Sequence, residues 1–391
     1  MQALYLDYAA TTPVDPRVIE VMQGHLGIEG CFGNPASRAH GYGWQAEAAV
    51  ETARGQVADL LGADPREIVW TSGATESNNL ALKGALAGLR WQHGQALDQA
   101  GARGHVITAQ TEHKAVLDVC AWLETQGYEV SYLAPDAAGR VGLTQVQQAR
   151  RDDTVLVSLM HVNNETGVIN DIAPVGRWCR EQGILFHVDA AQSAGKCALN
   201  VADLNVDLMS LSAHKFYGPK GVGLLYVRRA TEVQLVAQIH GGGHERAMRS
   251  GTLPTHQVVG MGTAAELAQT ERESEQKKLA AFKTRFWGAI KNLPGLRLTG
   301  DLQYQVPNTI NVSFGGRDGE QVLLALRGLA VSSGSACTSA SVEPSHVLTA
   351  MGLDRLTADS AIRFSFGRWT TEADIDNAIE VVESAVKQLK L

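Results

Sequence analysis

Lys215 ends the run Val206-Asp207-Leu208-Met209-Ser210-Leu211-Ser212-Ala213-His214-Lys215, which gives way at once to Phe216-Tyr217-Gly218-Pro219-Lys220-Gly221. The run reads as a half-buried strand, and the glycines and proline as a sharp turn behind it. A lysine at the mouth of such a strand is poorly solvated, which disfavours its charged form. The neutral amine is a carbonyl nucleophile, able to form a Schiff base. The plain alternative is a lysine paired with a carboxylate. Asp189 closes another β-rich run, Ile184–Val188, 26 residues before Lys215. A strand-end aspartate commonly caps a helix or a turn. Beside an amine suited to an aldehyde, it is also a carboxylate suited to a charged ring nitrogen, and that pair tunes pyridoxal 5'-phosphate as an electron sink.

The remaining candidates fit the same chemistry. Thr71-Ser72-Gly73-Ala74-Thr75-Glu76-Ser77 links a strand to a helix, so its amides and hydroxyls gather where a phosphate is favoured; an ordinary serine/threonine cap is the other reading. Ser212 and His214, beside the lysine, offer further donors. His113 opens a helix in Thr111-Glu112-His113-Lys114, where an imidazole could stack on a flat cofactor and exchange protons, or serve as a satisfied core or surface residue. Cys337 lies in Ser332-Ser333-Gly334-Ser335-Ala336-Cys337-Thr338-Ser339-Ala340-Ser341. Such small polar residues cannot pack a core, so this reads as a mobile, exposed loop with an available thiol, or as a cysteine that merely tolerates exposure. Arg363 projects from the apolar strand Ala361–Phe366, as a bidentate partner for an α-carboxylate or as one half of a structural salt bridge.

These residues need a scaffold that brings strand ends together. Between about residues 65 and 230, strands at Ile68–Thr71, His105–Thr108, Val155–Leu159, Ile184–Val188 and Val222–Val227 alternate with helices at Glu76–Leu89, Lys114–Gln126 and Pro174–Gln182. That alternation predicts an α/β fold with a mostly parallel sheet, helices on both faces, and ligands at the carboxyl ends of the strands. After His256 a long helix to about Asn292, strands at Asn308–Phe314 and Ala361–Phe366, and a closing helix from Glu372 read as a smaller α+β domain. The expected division is 15–256 for the large cofactor-binding domain, and 1–14 with 257–391 for the small domain carrying Cys337.

Composition narrows the field. The chain has 391 residues, 45% hydrophobic and 19% charged, with a net charge of -7 and no basic stripe, which argues against nucleic acid as a direct partner. The start of the chain has neither the basic nor the apolar region of a signal peptide, and no apolar stretch approaches the roughly 20 residues needed to span a bilayer. Five cysteines, odd in number and without a Cys-x-x-Cys pair, fit free thiols in a reducing cytoplasm and predict no metal site.

Taken in order, several segments resemble one known family. They are Tyr5–Pro13, Gly33–Ser37, Thr71–Asn79, Glu112–Val116, Val162–Gly167, His187–Gln192, Ser212–Gly221, Gly241–Arg246, Arg249–Thr252 and Ser332–Leu348. Together they resemble the cysteine desulfurases, pyridoxal-phosphate enzymes of the class V aminotransferase group with the aspartate-aminotransferase architecture (fold type I). The Ser-Ser-Gly-Ser-Ala-Cys stretch is similar to the long-loop subgroup that serves iron–sulfur cluster assembly. The resemblance implies that Lys215 carries the cofactor and Asp189 pairs with its ring nitrogen. It implies that Gln192 contacts the ring oxygen, that His113 stacks and shuttles protons, and that Ala74, Thr75, Ser212 and His214 hold the phosphate. Asn164 would lie close to the cofactor, Arg363 would clamp the substrate carboxylate with Asn34 nearby, and Thr252 would reach the phosphate of a neighbouring subunit in a homodimer with shared active sites. L-cysteine would become L-alanine and its sulfur a persulfide on Cys337, passed to an acceptor such as an iron–sulfur scaffold protein. A selenocysteine lyase and a non-catalytic sulfur-relay scaffold are the competing readings. The chain departs from the family in a longer connection at 90–104 and in ending at Leu391, soon after the last helix, where relatives often carry a tail that helps dock the scaffold.

Overall fold

The computed structural model describes residues 3–92, 104–230, 234–333 and 344–391. Cys337, and all but the edges of the 90–104 connection, therefore lie outside the described residues. The first strand, β1 (Leu4–Tyr5), is followed in chain order by β2 (Ile68–Thr71), β3 (His105–Ala109), β4 (Glu129–Leu133), β5 (Thr154–Met160), β6 (Leu185–Asp189), β7 (Leu208–Ser212) and β8 (Gly223–Val227). Strands β2 to β8 form one seven-stranded sheet in the order β2-β8-β7-β6-β5-β3-β4. Every pair from β4 across to β7 is parallel, and only β8 runs against its two neighbours.

Five strands match the sequence reading to within a residue or two; β4 was not anticipated, because Glu129-Val130-Ser131-Tyr132-Leu133 alternates at the sheet edge with little apolar weight. The strand before Lys215, β7, is also buried along its whole length rather than half-buried. Its two faces are both covered by helices, the usual state of a parallel sheet, so the alternation of serine and leucine does not mark a solvent face. The serines are accommodated by hydrogen bonding instead. Ser158 Oγ and Ser210 Oγ flank the His187 ring at 2.8 and 3.0 Å, which ties β5, β6 and β7 together.

Burial holds the His187 imidazole down to about 4, against an unperturbed value near 6.5. Because its folded-state value is depressed, its stabilising contribution is complete above about pH 6.5 and is lost as pH falls towards 4. His187→Gln is therefore expected to be the less stable protein at pH 8, by about 2 kcal/mol for the disturbed hydrogen bonds. That deficit should narrow by at most about 1.4 kcal/mol per pH unit between 6.5 and 4, since only the native chain has this proton to bind. Urea midpoints of both proteins across that range check it, and a constant difference would contradict it.

A four-stranded antiparallel sheet, ordered β12-β13-β10-β9, is built from β9 (Leu296–Leu298), β10 (Thr309–Phe314), β12 (Ser332–Ser333) and β13 (Ala361–Ser365), while β11 (Leu329–Ala330) pairs in parallel with β1. The helix Thr255–Ile290 joins the two regions. Its first half buries Val258, Met261, Ala264 and Ala265 against the large sheet's core, and its second half buries Leu279, Phe282, Phe286 and Ile290 in the core of the small one. The closing helix Glu372–Leu389 begins with a Thr371–Asp374 capping box and packs Ile375, Ala378, Val382 and Ala385 on the same small core.

Candidate active site

A cavity of about 470 Å³ opens at the carboxyl ends of the parallel strands. Asp189 comes from the last residue of β6, Ser212 from the last of β7, and Lys215 from the single 3₁₀ turn that follows. The Ser72–Thr75 turn leaves β2 and starts a helix with no side-chain cap on Gly73, so the Ala74 and Thr75 amides have no intrahelical acceptor. That turn can approach β8 because position 223 is glycine: a Cβ there would lie 2.6 Å from Gly73 Cα. Glu76, at the same turn, is neutralised by Arg249 Nε at 2.8 Å and the Ser72 amide at 2.8 Å.

Lys215, Asp189, Gln192, His113, Ala74, Thr75, Asn164, Ser212, His214 and Arg363 all line this cavity. Asn34 and Thr252 do not. Both are exposed, and Asn34 is engaged in its own turn, accepting from the Ala36 amide at 2.9 Å. The Lys215 amine donates to the carbonyls of Ala9 and Ala10 at 2.9 and 2.8 Å. Asp189 is buried and accepts from two neutral donors, the Asn78 side-chain amide at 2.7 Å and the Ala191 backbone at 3.0 Å. His113 is the N-cap of the helix Lys114–Thr125; its Nδ1 accepts from the Ala115 amide at 3.1 Å, which fixes the neutral ring as the Nε2–H tautomer. Burial lowers the His113 pKa, with Lys215 nearby adding to the effect against the raising influence of Asp189. His214, beside Thr11 Oγ1 at 3.1 Å, is pushed down to about 4 by burial and then by three neighbouring lysines.

Arg363 forms a salt bridge to Asp7 at 2.7 Å and donates to the Asn164 carbonyl at 2.6 Å, while its guanidinium lines the cavity. Both possibilities raised by its sequence setting are thus open to the same side chain. Sequence reasoning missed several contributors. Ala9 and Ala10 act through backbone carbonyls, which no side-chain pattern announces. Asn78 shows only as the fifth residue of an ordinary helix start. Glu112 is fully buried, accepts from the Met160 amide at 2.7 Å, and has its carboxyl raised well above the usual range by burial.

The family model for class-V aminotransferases matches residues 4–378. The chain belongs to the class-V aminotransferase family. It is 57% identical over 387 residues to a protein named cysteine desulfurase IscS from Escherichia coli (strain K12 / DH10B), covering 99% of this chain and 93% of the relative. Identity to the protein of that name from Klebsiella pneumoniae is 56% over the same length and coverage. Among solved structures, a NifS-like protein superposes with a TM-score of 0.88 at 37% identity, covering 99% of this chain and all of the other. SspA in complex with cysteine superposes with 0.81 at 40% identity, covering 94% and 100%. The large parallel sheet with its smaller antiparallel partner is the fold type I architecture of pyridoxal-phosphate enzymes, and pyridoxal 5'-phosphate is the cofactor of this class-V chain. The cavity's donor set fits that group. Among the described residues it offers an amine, a buried carboxylate whose donors are neutral amides, and helix-start amides without acceptors. It also holds two buried amide oxygens, Asn78 Oδ1 and Asn164 Oδ1, with no partner among those residues.

Proposed function

We propose that this chain is a cysteine desulfurase, converting L-cysteine to L-alanine and leaving the sulfur as a persulfide on Cys337. The observation that carries the reading is the convergence of Lys215, Asp189, His113 and Arg363 on one cavity, in a chain more than half identical to proteins named for that activity. Pyridoxal phosphate, when bound, supplies an electron sink for the pair released as the substrate loses its α-proton. Lys215 Nζ would hold the cofactor and would be the base for that proton. The Asp189 carboxylate would pair with the ring nitrogen and support its positive charge. His113, its Nδ1 engaged by the helix cap, would keep Nε2 for proton exchange at the cofactor. The Ala74 and Thr75 amides, Ser212 and His214 would hold the phosphate, and Gln192 and Asn164 would contact the ring. Arg363 would take the substrate carboxylate; Asn34, outside the cavity in this chain, is assigned to the substrate on the family resemblance alone.

Transfer of sulfur balances without an outside oxidant. The Cys337 thiolate forms the S–S bond, the substrate's Cβ–S bond breaks, and its electron pair stays on the carbon framework that is released as alanine after protonation. A thiolate of a sulfur acceptor, an iron–sulfur scaffold protein on this reading, then takes the outer sulfur in the cytoplasm: a new S–S bond forms on the acceptor as the one to Cys337 breaks, and Cys337 returns as its thiolate. Among the described residues no helix is long and apolar enough to cross a membrane. Thr252 is exposed and outside this chain's own cavity; in the proposed homodimer it completes the phosphate site of the other copy. We keep the division into 15–256, and 1–14 with 257–391, although the helix Thr255–Ile290 straddles it, with its first half in the large core and its second half in the small one. Alanine release from L-cysteine by the cofactor-loaded protein, with a thiol reductant to clear the persulfide, tests the assignment; a loaded protein that yields none would overturn it.

A further inference from the structure

Lys196 is a half-buried lysine that none of the roles above employs. It lies one helical turn beyond Gln192, in the turns after β6, and its Nζ donates to Gln192 Oε1 at 2.7 Å. The other end of that amide is also fixed, because Gln192 Nε2 donates to the Ala9 carbonyl at 2.8 Å. Ala9 is the same carbonyl that accepts from Lys215. Lys196 and Lys215 both line a second, small cavity that adjoins the main one. Two amines thus share one poorly hydrated corner.

The charges around Lys196 do little to neutralise it. From the long helix comes Glu275, but its carboxylate is committed to the Tyr217 hydroxyl at 2.6 Å and to Arg368 at 3.1 Å. Lys215, Arg363 and Arg368 are cations, Tyr8 and Tyr217 are neutral phenols with raised pKa, and burial pushes the Cys197 thiol up to about 11. Among the described residues no carboxylate forms a salt bridge with Lys196; its partner is an amide oxygen. Burial first, and then the nearby Lys215, bring the Lys196 amine down to about 7.

We propose that Lys196 is a positioning residue for the proposed cofactor site: it locks the Gln192 amide with its Nε2 facing Ala9 and the cavity, beside the carbonyl that also receives Lys215. The inference rests on the desulfurase reading only in assigning the cofactor to Lys215.

The test is a pH titration of the visible absorbance of the cofactor bound to the purified holoenzyme, for the native chain, Lys196→Met and Lys196→Arg. Methionine keeps the unbranched stem and leaves no charged partner behind, so the fold should survive. In the Met variant the Gln192 amide is no longer held facing the ring oxygen, so the midpoint is expected to rise by about one pH unit; the Arg variant, which can still donate to Gln192 Oε1, is expected to stay at or below the native midpoint. A Met variant whose midpoint is unmoved, or moves down, would overturn the proposal. Absence of any visible band in the native protein would instead overturn the cofactor assignment beneath it, so the two failures are distinguishable.

Discussion

Lys215→Ala is expected to lose the visible absorbance of bound cofactor and to lower alanine formation from L-cysteine by on the order of 10²–10⁴-fold or more. The amine has two assigned tasks, holding the cofactor and moving the α-proton, and no neighbour is placed for both. Lys196 shares a small adjoining cavity with it, but its nitrogen is spent on Gln192. The loss should be chemical rather than structural. Removing the side chain takes one donor from the Ala9 and Ala10 carbonyls, a change of about 1–3 kcal/mol at most. Ala9 O keeps its bond from Gln192, and the N-terminal segment remains tied to the following turn through Thr12, whose amide donates to the His214 carbonyl at 2.9 Å. A Lys215→Ala protein that kept the band would remove the lysine from its assigned role.

Cys337→Ala should have the opposite spectroscopic outcome with a similar kinetic one: cofactor absorbance retained, alanine formation reduced to background. The other four thiols are poor replacements. Cys120 and Cys179 are buried within the core around the sheet, and burial, helped by nearby carboxylates, pushes both up to about 12. Cys197 is raised to about 11 by burial, and Cys31 is raised by burial as well. A thiol must ionise to attack sulfur, so none of these is a thiolate near pH 7. Substantial alanine formation by the Cys337→Ala protein would show that sulfur leaves by another route, as a selenocysteine lyase-type elimination would allow.

Much of this arrangement was legible from residue order alone because its parts are local. A strand that ends in Ser212-Ala213-His214-Lys215 places its own lysine, and Thr71–Ser77 carries both the strand end and the helix start of the phosphate turn. The parallel sheet followed from apolar runs separated by amphipathic helices. What escaped depends on residues far apart in sequence or on the backbone. Ala9 O meets Lys215 Nζ across 206 positions, and Asn78 meets Asp189 across 111. Neither contact leaves a periodic or compositional trace. The full burial of Ser210 and His187 was hidden for a related reason. Polar residues alternating along a strand imply water on one face, unless a cross-strand hydrogen-bond chain such as Ser158–His187–Ser210 satisfies them inside.

The most direct test of the proposed function is a single turnover without reductant. Cofactor-loaded protein is mixed with L-cysteine, alanine is quantified, and the protein is digested and mapped by mass spectrometry for added sulfur. The account predicts alanine and persulfide in equal amounts, with the added sulfur on the peptide that contains Cys337. Sulfur mapped to any other cysteine, or cysteine consumed without alanine, would contradict it.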